Sequence, residues 1–163
     1  MSPEPASTLT LRSATADDAA LVVEFIHALA EYEQLSCECT ATEEQVRATL
    51  LSPSSNAECI LAFSDGVPAG FAVFFSNYST FLARPGIYLE DLFVKPAYRQ
   101  RGIGKGLILH LAKLANERGC GRLEWSVLEW NTPAIEFYKG IGATILPDWR
   151  VCRLTGEALS RYA

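Results

Sequence analysis

Two adjoining stretches carry residue types that do chemistry. In "IYLEDLFV" (87–94), Glu90 and Asp91 interrupt a run of large apolar residues. An ionised carboxylate buried without a partner costs several kcal/mol or shifts its pKa, so a pair in an apolar strand calls for a function or a specific partner. In a regular strand the two point to opposite faces, so one can line a cleft while the other caps backbone or pairs with a basic residue; a bulge would change this. The next stretch, "KPAYRQRGIGKG", sets Gly102, Gly104 and Gly106 among Arg99, Arg101 and Lys105 where a helical pattern starts. Unpaired N–H groups and the positive dipole end at a helix start form an anion site, and glycines let a phosphate approach the backbone. The spacing fits neither a P-loop nor the dinucleotide fingerprint. A helix cap with glycines for close packing is the competing reading.

The elements that must position these residues are legible around them. "LTLRSAT" reads as a short strand, and Thr15 with Asp18 as a capping box before Leu21, Val22, Phe25, Ile26 and Leu29 at helical spacing. Thr42 with Gln45 caps a second helix that "SPSS" ends near Leu51. "ECILAF" and "VPAGFAVFF" flank an Asp65-Gly66 hairpin turn, and "IYLEDLFV" is the next strand. After the glycine loop a helix runs from about Ile103 to Arg118 and stops at Gly119. "RLEWSVL" is a strand, "NTPAIEFYKGIG" a short helix with Asn131 or Thr132 as cap and Pro133 in its first turn, and "WRVCRL" a closing strand. The order β-α-α-β-β-β-α-β-α-β implies a mixed α/β fold, largely antiparallel, with a parallel crossover around the long helix.

The 163 residues fit one domain, taken as residues 1–163. No apolar run approaches the roughly 18 residues that span a membrane, and "MSPEPAS" lacks the basic and apolar regions of a signal peptide, so a cytoplasmic protein is expected. The five cysteines, Cys37, Cys39, Cys59, Cys120 and Cys152, are scattered without zinc spacing and read mostly as small buried hydrophobes. With only His27 and His110 far apart, no metal site is expected. A net charge of −5 disfavours nucleic acid and suits a cationic small molecule.

"YRQRGIGKGL" resembles the Arg/Gln-x-x-Gly-x-Gly/Ala signature of the GCN5-related N-acetyltransferases (GNAT), with Arg99, Gly102 and Gly104 at the matching positions. The element order is similar to that fold over nearly the whole chain. "LAEYEQL", "YLEDLFVKPAYRQRGIG" and "EWNTPAIEFYKGIGA" resemble the diamine acetyltransferase group, which acts on spermidine and spermine or on thialysine. The resemblance implies a GNAT fold with a mostly antiparallel central sheet flanked by helices, a homodimer, and acetyl-CoA as co-substrate without a metal. It assigns Leu92, Phe93 and Val94 to backbone hydrogen bonds with the pantetheine arm. It places Gln100, Arg101, Gly102, Ile103, Gly104 and Lys105 around the pyrophosphate, with Arg99 in the signature. Asn131, Thr132, Pro133 and Ala134 fall near the pantetheine and thioester. Tyr138 matches the family's acid, within the cofactor-binding set, and Glu90 the carboxylate facing the acceptor amine, and the resemblance implies a bulge in the strand that carries Glu90.

Those roles fit the chemistry. An alkyl amine has a pKa near 10, so it must lose a proton before attack, which a carboxylate such as Glu90 can accept. The departing thiolate takes a proton from Tyr138, seven residues after Asn131 and so about two turns along the same helix face. No Ser or Cys nucleophile with a base is visible, which favours direct attack in a ternary complex. Without the resemblance, Tyr138 and Phe137 read as core aromatics. For the acceptor, the resemblance points to Tyr32, Glu33 and Glu90, with Glu124, Ser126, Asp148 and Trp149 as further candidates. The segment Ala143 to Arg150 is shorter than in the polyamine enzymes, and "LAEYEQLS", "RGCGRLEWSVLEWN" and "GEAL" are closer to the thialysine branch. A protein lysine or N-terminal acetyltransferase, and a non-catalytic acyl-CoA-binding module, are the alternatives.

Overall fold

The first strand, β1 (Leu9–Ser13), ends where Thr15 and Asp18 form the expected capping box across a 3-10 turn at Ala16–Asp18. The box launches α1 (Ala19–Tyr32), and Arg12 locks it from outside by pairing with the Asp18 carboxylate at 2.8 Å. A second box, Thr42 with Gln45, opens α2 (Glu43–Thr49) after a 3-10 turn at Ser36–Glu38. The computed structural model describes residues 8–163; the "MSPEPAS" segment lies outside the described residues.

β2 (Ala57–Ser64) and β3 (Val67–Ser79) are joined at Asp65 and Gly66, both at positive φ (51° and 80°), as an Asp-Gly hairpin turn requires. β4 (Arg84–Val94) follows, then a 3-10 turn at Pro96–Tyr98, α3 (Ile103–Glu117) and β5 (Leu123–Trp125). The sheet order is β1-β2-β3-β4-β5, antiparallel up to β4 and parallel between β4 and β5, as the crossover through α3 demands. Val22, Phe25 and Leu29 of α1 pack on Leu61, Phe71, Val73 and Phe93, and the rings of Phe25 and Phe71 stack at 5.4 Å. Leu92 and Val94 turn to the opposite face, where they meet the start of α3 beside Gly104.

By contact density the chain forms two units, one running to Ser126 and a second from Val127 to Ala163. The second contains α4 (Thr132–Gly140) and α5 (Gly156–Ser160). Asn131 is the N-cap of α4, its Oδ1 accepting from the Ala134 N–H at 3.4 Å, and Gly142 ends it at φ 93°.

Three expectations need correcting. "RLEWSVL" forms a strand only over Leu123–Trp125, because its ladder to β4 runs from Ile87 to Leu89 and no further. "WRVCRL" is not a strand: Trp149, Val151 and Leu154 are exposed, Trp149 at 79%. An apolar segment becomes a strand only if an edge accepts its backbone, which its own residues cannot specify. Of the cysteines only Cys59 is buried, on the core phase of β2, where burial pushes its thiol up to about 12; Cys37 and Cys152 are exposed, in a 3-10 turn and in coil.

Candidate active site

β4 contains the feature that organises the first unit's site. Across β3, Phe93 pairs with Phe71, Leu92 with Ala72 and Asp91 with Val73, but the next pair is Leu89 with Phe74. Glu90 has no opposite number: it is the extra residue of a β-bulge. Val73 and Phe74 are neighbours and face opposite sides, so the bulge puts Leu89 and Asp91 on opposite faces, where an unbroken strand would have aligned them. Leu89 is thereby buried at 2% exposure, while Asp91 stands half-buried on the face of α1 and Glu90 is exposed. The regular-strand geometry expected for Glu90 and Asp91 therefore gives way at this point.

The bulge also marks where β5 stops, since its last residue, Trp125, pairs with Leu89. From Asp91 to Val94 the strand keeps its ladder to β3 but, among the described residues, has no ladder on the β5 side. That edge leaves main-chain groups of Leu92 and Val94 facing away from β3, available to an extended ligand in the manner of an added strand, while those of Phe93 face β3. The Val94 carbonyl already accepts from Arg99 Nε at 3.0 Å.

The glycine loop lies directly beyond. Gln100 and Gly102 are both at positive φ (61° and 79°), and Gly102 is the N-cap of α3. A left-handed residue followed by helical ones aims successive N–H groups into a concavity suited to anions. Having no side chain, Gly102 cannot cap the first turn, and the first intrahelical bond is donated by Gly106 N–H to Gly102 carbonyl at 2.8 Å. The N–H groups of Ile103, Gly104 and Lys105 thus keep the orphan character of a helix start. The glycines divide by role. A Cβ on Gly106 would come within 2.5 Å of Leu9, so that residue serves packing. A Cβ on Gly104 would meet nothing closer than 3.9 Å, leaving open room at the helix mouth. Arg101 and Lys105 are exposed, and Arg101 lies over the Tyr98 ring at 5.2 Å. Loop and strand edge together fit a pyrophosphate with an extended arm.

On the other side of the bulge the field is acidic. Burial, first, and then the charges of Glu90 and Glu33 push the Asp91 carboxyl up to about 6, and burial also raises Glu33, at the end of α1. Asp91 gains protons on folding, so its contribution to stability is full below its unfolded pKa near 3.9 and is lost as pH rises through about 6. Asp91→Asn is accordingly expected to raise the melting temperature at pH 7 and leave it unchanged near pH 4, as thermal denaturation at the two pH values would show.

The other acceptor candidates are placed as follows. Tyr32 ends α1, its ring under the Arg99 guanidinium. Glu124 accepts from Asn77 Nδ2 at 2.9 Å and pairs with Arg122 at 2.8 Å, and the Ser126 hydroxyl is bonded to Tyr88 OH at 2.8 Å. In the second unit Tyr138 is buried in α4, its ring against Phe137 at 5.3 Å, two turns past the Asn131 cap. Thr132, Pro133 and Ala134 form the first turn of α4, and Asp148 and Trp149 are exposed in the coil after it. Glu33, Glu90 and Asp91 are thus brought together, and β4 runs from Leu92 through the Pro96–Tyr98 turn into the glycine loop. The particular partnership missing from the sequence reading is Asp91 with Glu33: adjacent carboxylates were visible, and the bulge was implied only by the family resemblance.

A model of the acetyltransferase (GNAT) family matches residues 26–143. The thialysine N-epsilon-acetyltransferase of Bos taurus is 35% identical over 94% of this chain and 96% of its own length. An L-ornithine N5-acetyltransferase of Arabidopsis thaliana is 51% identical over 96 residues, a match that covers 59% of this chain but only 42% of that relative. Among solved structures, an integron cassette protein from the V. cholerae mobile metagenome superposes with a TM-score of 0.79 at 26% identity, over 94% of this chain and 96% of that one. With a family model across most of its length and a near full-length relative a third identical, the chain belongs to the acetyltransferase (GNAT) family and is an N-acetyltransferase.

Proposed function

We propose that the protein transfers an acetyl group from acetyl-CoA to a primary amine of a small cationic acceptor, such as thialysine, ornithine, a related basic amino acid or a polyamine. The observation that carries this reading is the β4 bulge. It leaves Glu90 exposed beside Asp91 and Glu33 and frees the strand edge that leads into the glycine loop. The activities named for the thialysine and ornithine relatives point the same way.

Acetyl-CoA supplies the thioester carbonyl. The main chain of Leu92 and Val94 would align its arm, and the N–H groups of Ile103 to Lys105, with Arg101 and Lys105, would hold its pyrophosphate. The family resemblance assigns Asn131 to Ala134 to the pantetheine and thioester. Glu90 takes a proton from the acceptor's ammonium, so that the neutral nitrogen forms the new C–N bond as the C–S bond breaks. Tyr138 gives its proton to the departing sulfur. Tyr32 and Glu33, with Asp91, complete the acceptor side. Glu124 and Ser126 have partners within their own unit, which favours a structural part for them.

Direct attack requires both substrates bound at once. Initial-rate lines with both concentrations varied are expected to intersect. Parallel lines, with acetylated protein accumulating on acetyl-CoA alone, would contradict the mechanism.

A further inference from the structure

We propose that Arg99 is a positioning residue that clamps the C-terminal end of α1 to the C-terminal end of β4, keeping the acceptor-side residues Tyr32 and Glu33 in register with the strand edge. Arg99 opens the glycine signature, yet its side chain is engaged by the ends of α1 and β4. Its guanidinium lies 4.4 Å above the Tyr32 ring and 5.6 Å from that of Phe93, and its Nε donates to the Val94 carbonyl at 3.0 Å. Its backbone N–H is also committed, to the Pro96 carbonyl at 3.2 Å. Both of these donors serve the protein.

The three contacts reach two elements far apart in sequence. Tyr32 is the last residue of α1, where a cation complements the negative end of the helix dipole. Glu33, which caps that helix, lies in the field of Asp91. Phe93 belongs to the core packed on α1, its ring 6.4 Å from Phe25. Val94 is the last residue of β4, where the exposed strand edge ends and the chain turns towards the loop. A planar guanidinium can stack on a ring and donate edge-on at once, which a lysine ammonium cannot. The clamp therefore explains arginine here, where a bare charge for a phosphate would accept lysine.

Its kinetic consequence rests on the acceptor site proposed above. Arg99→Lys is expected to raise the KM of the amine about tenfold while the acetyl-CoA KM stays within about twofold. Tyr32→Leu added to Arg99→Lys should raise the amine KM by less than the product of the two single effects, as expected for residues in contact. Hydrogen exchange should quicken over residues 29–35 in Arg99→Lys. Unchanged exchange there overturns the proposal whatever the kinetics. So does an amine KM that stays unchanged, including one accompanied by a rise in the acetyl-CoA KM, which would make Arg99 a phosphate ligand. If the wild-type protein releases thiol with no amine, the acceptor reading fails by itself, and the exchange measurement alone decides on the clamp.

Discussion

Tyr138→Phe is expected to lower turnover by about a hundredfold while leaving the acetyl-CoA KM nearly unchanged. The substitution removes one hydroxyl and keeps the ring, so its packing against Phe137 at 5.3 Å survives. The position is fixed by local rules: Asn131 caps α4, Pro133 sits in its first turn, and two turns of helix carry the side chain to the cap's face. If the hydroxyl protonates the leaving sulfur, its loss acts on kcat alone. Unchanged turnover, measured by thiol release at saturating substrates, would return Tyr138 to the role of a core aromatic.

Glu90→Gln should reduce kcat/KM for the amine by about a hundredfold near neutral pH and change the pH profile of the amine reaction. Glu90 is the residue the bulge ejects from the ladder, exposed and without a cross-strand neighbour, so the amide should leave folding intact. Asp91 behaves differently. It stands in the core-facing register with its carboxyl raised, and the fold keeps it at some cost to stability. Under the proposed function, a second carboxylate near the amine would help hold a cation. If Glu90→Gln altered only the acetyl-CoA KM, Glu90 would belong to the cofactor side.

How far these residues could be read from sequence follows from how local their causes are. The capping boxes at Thr15 and Thr42, the Asp65-Gly66 turn and the glycine start of α3 each depend on a few neighbouring residues, and each was legible. The bulge at Glu90 was implied by the family resemblance but not readable from the residues themselves, because register is decided jointly by two strands: Leu89 is buried against Phe74 only if one residue is left over. The expected closing strand at 149–154 failed for a related reason, since alternation cannot supply a partner edge. Arg99 shows the same limit in a side chain. The signature it opens suggests a phosphate, whereas its observed partners, Tyr32 and Val94, come from different elements.

The central claim is that the acidic cluster beside the bulge serves a small cationic amine. The most direct test is thiol release from acetyl-CoA by the wild-type protein against thialysine, ornithine, lysine, spermidine, spermine, putrescine and lysine-containing peptides. The account predicts release that depends on the free amines, with a basic amino acid among the best. Release driven by peptides alone, or acetyl-CoA binding with no amine-dependent release, would contradict it.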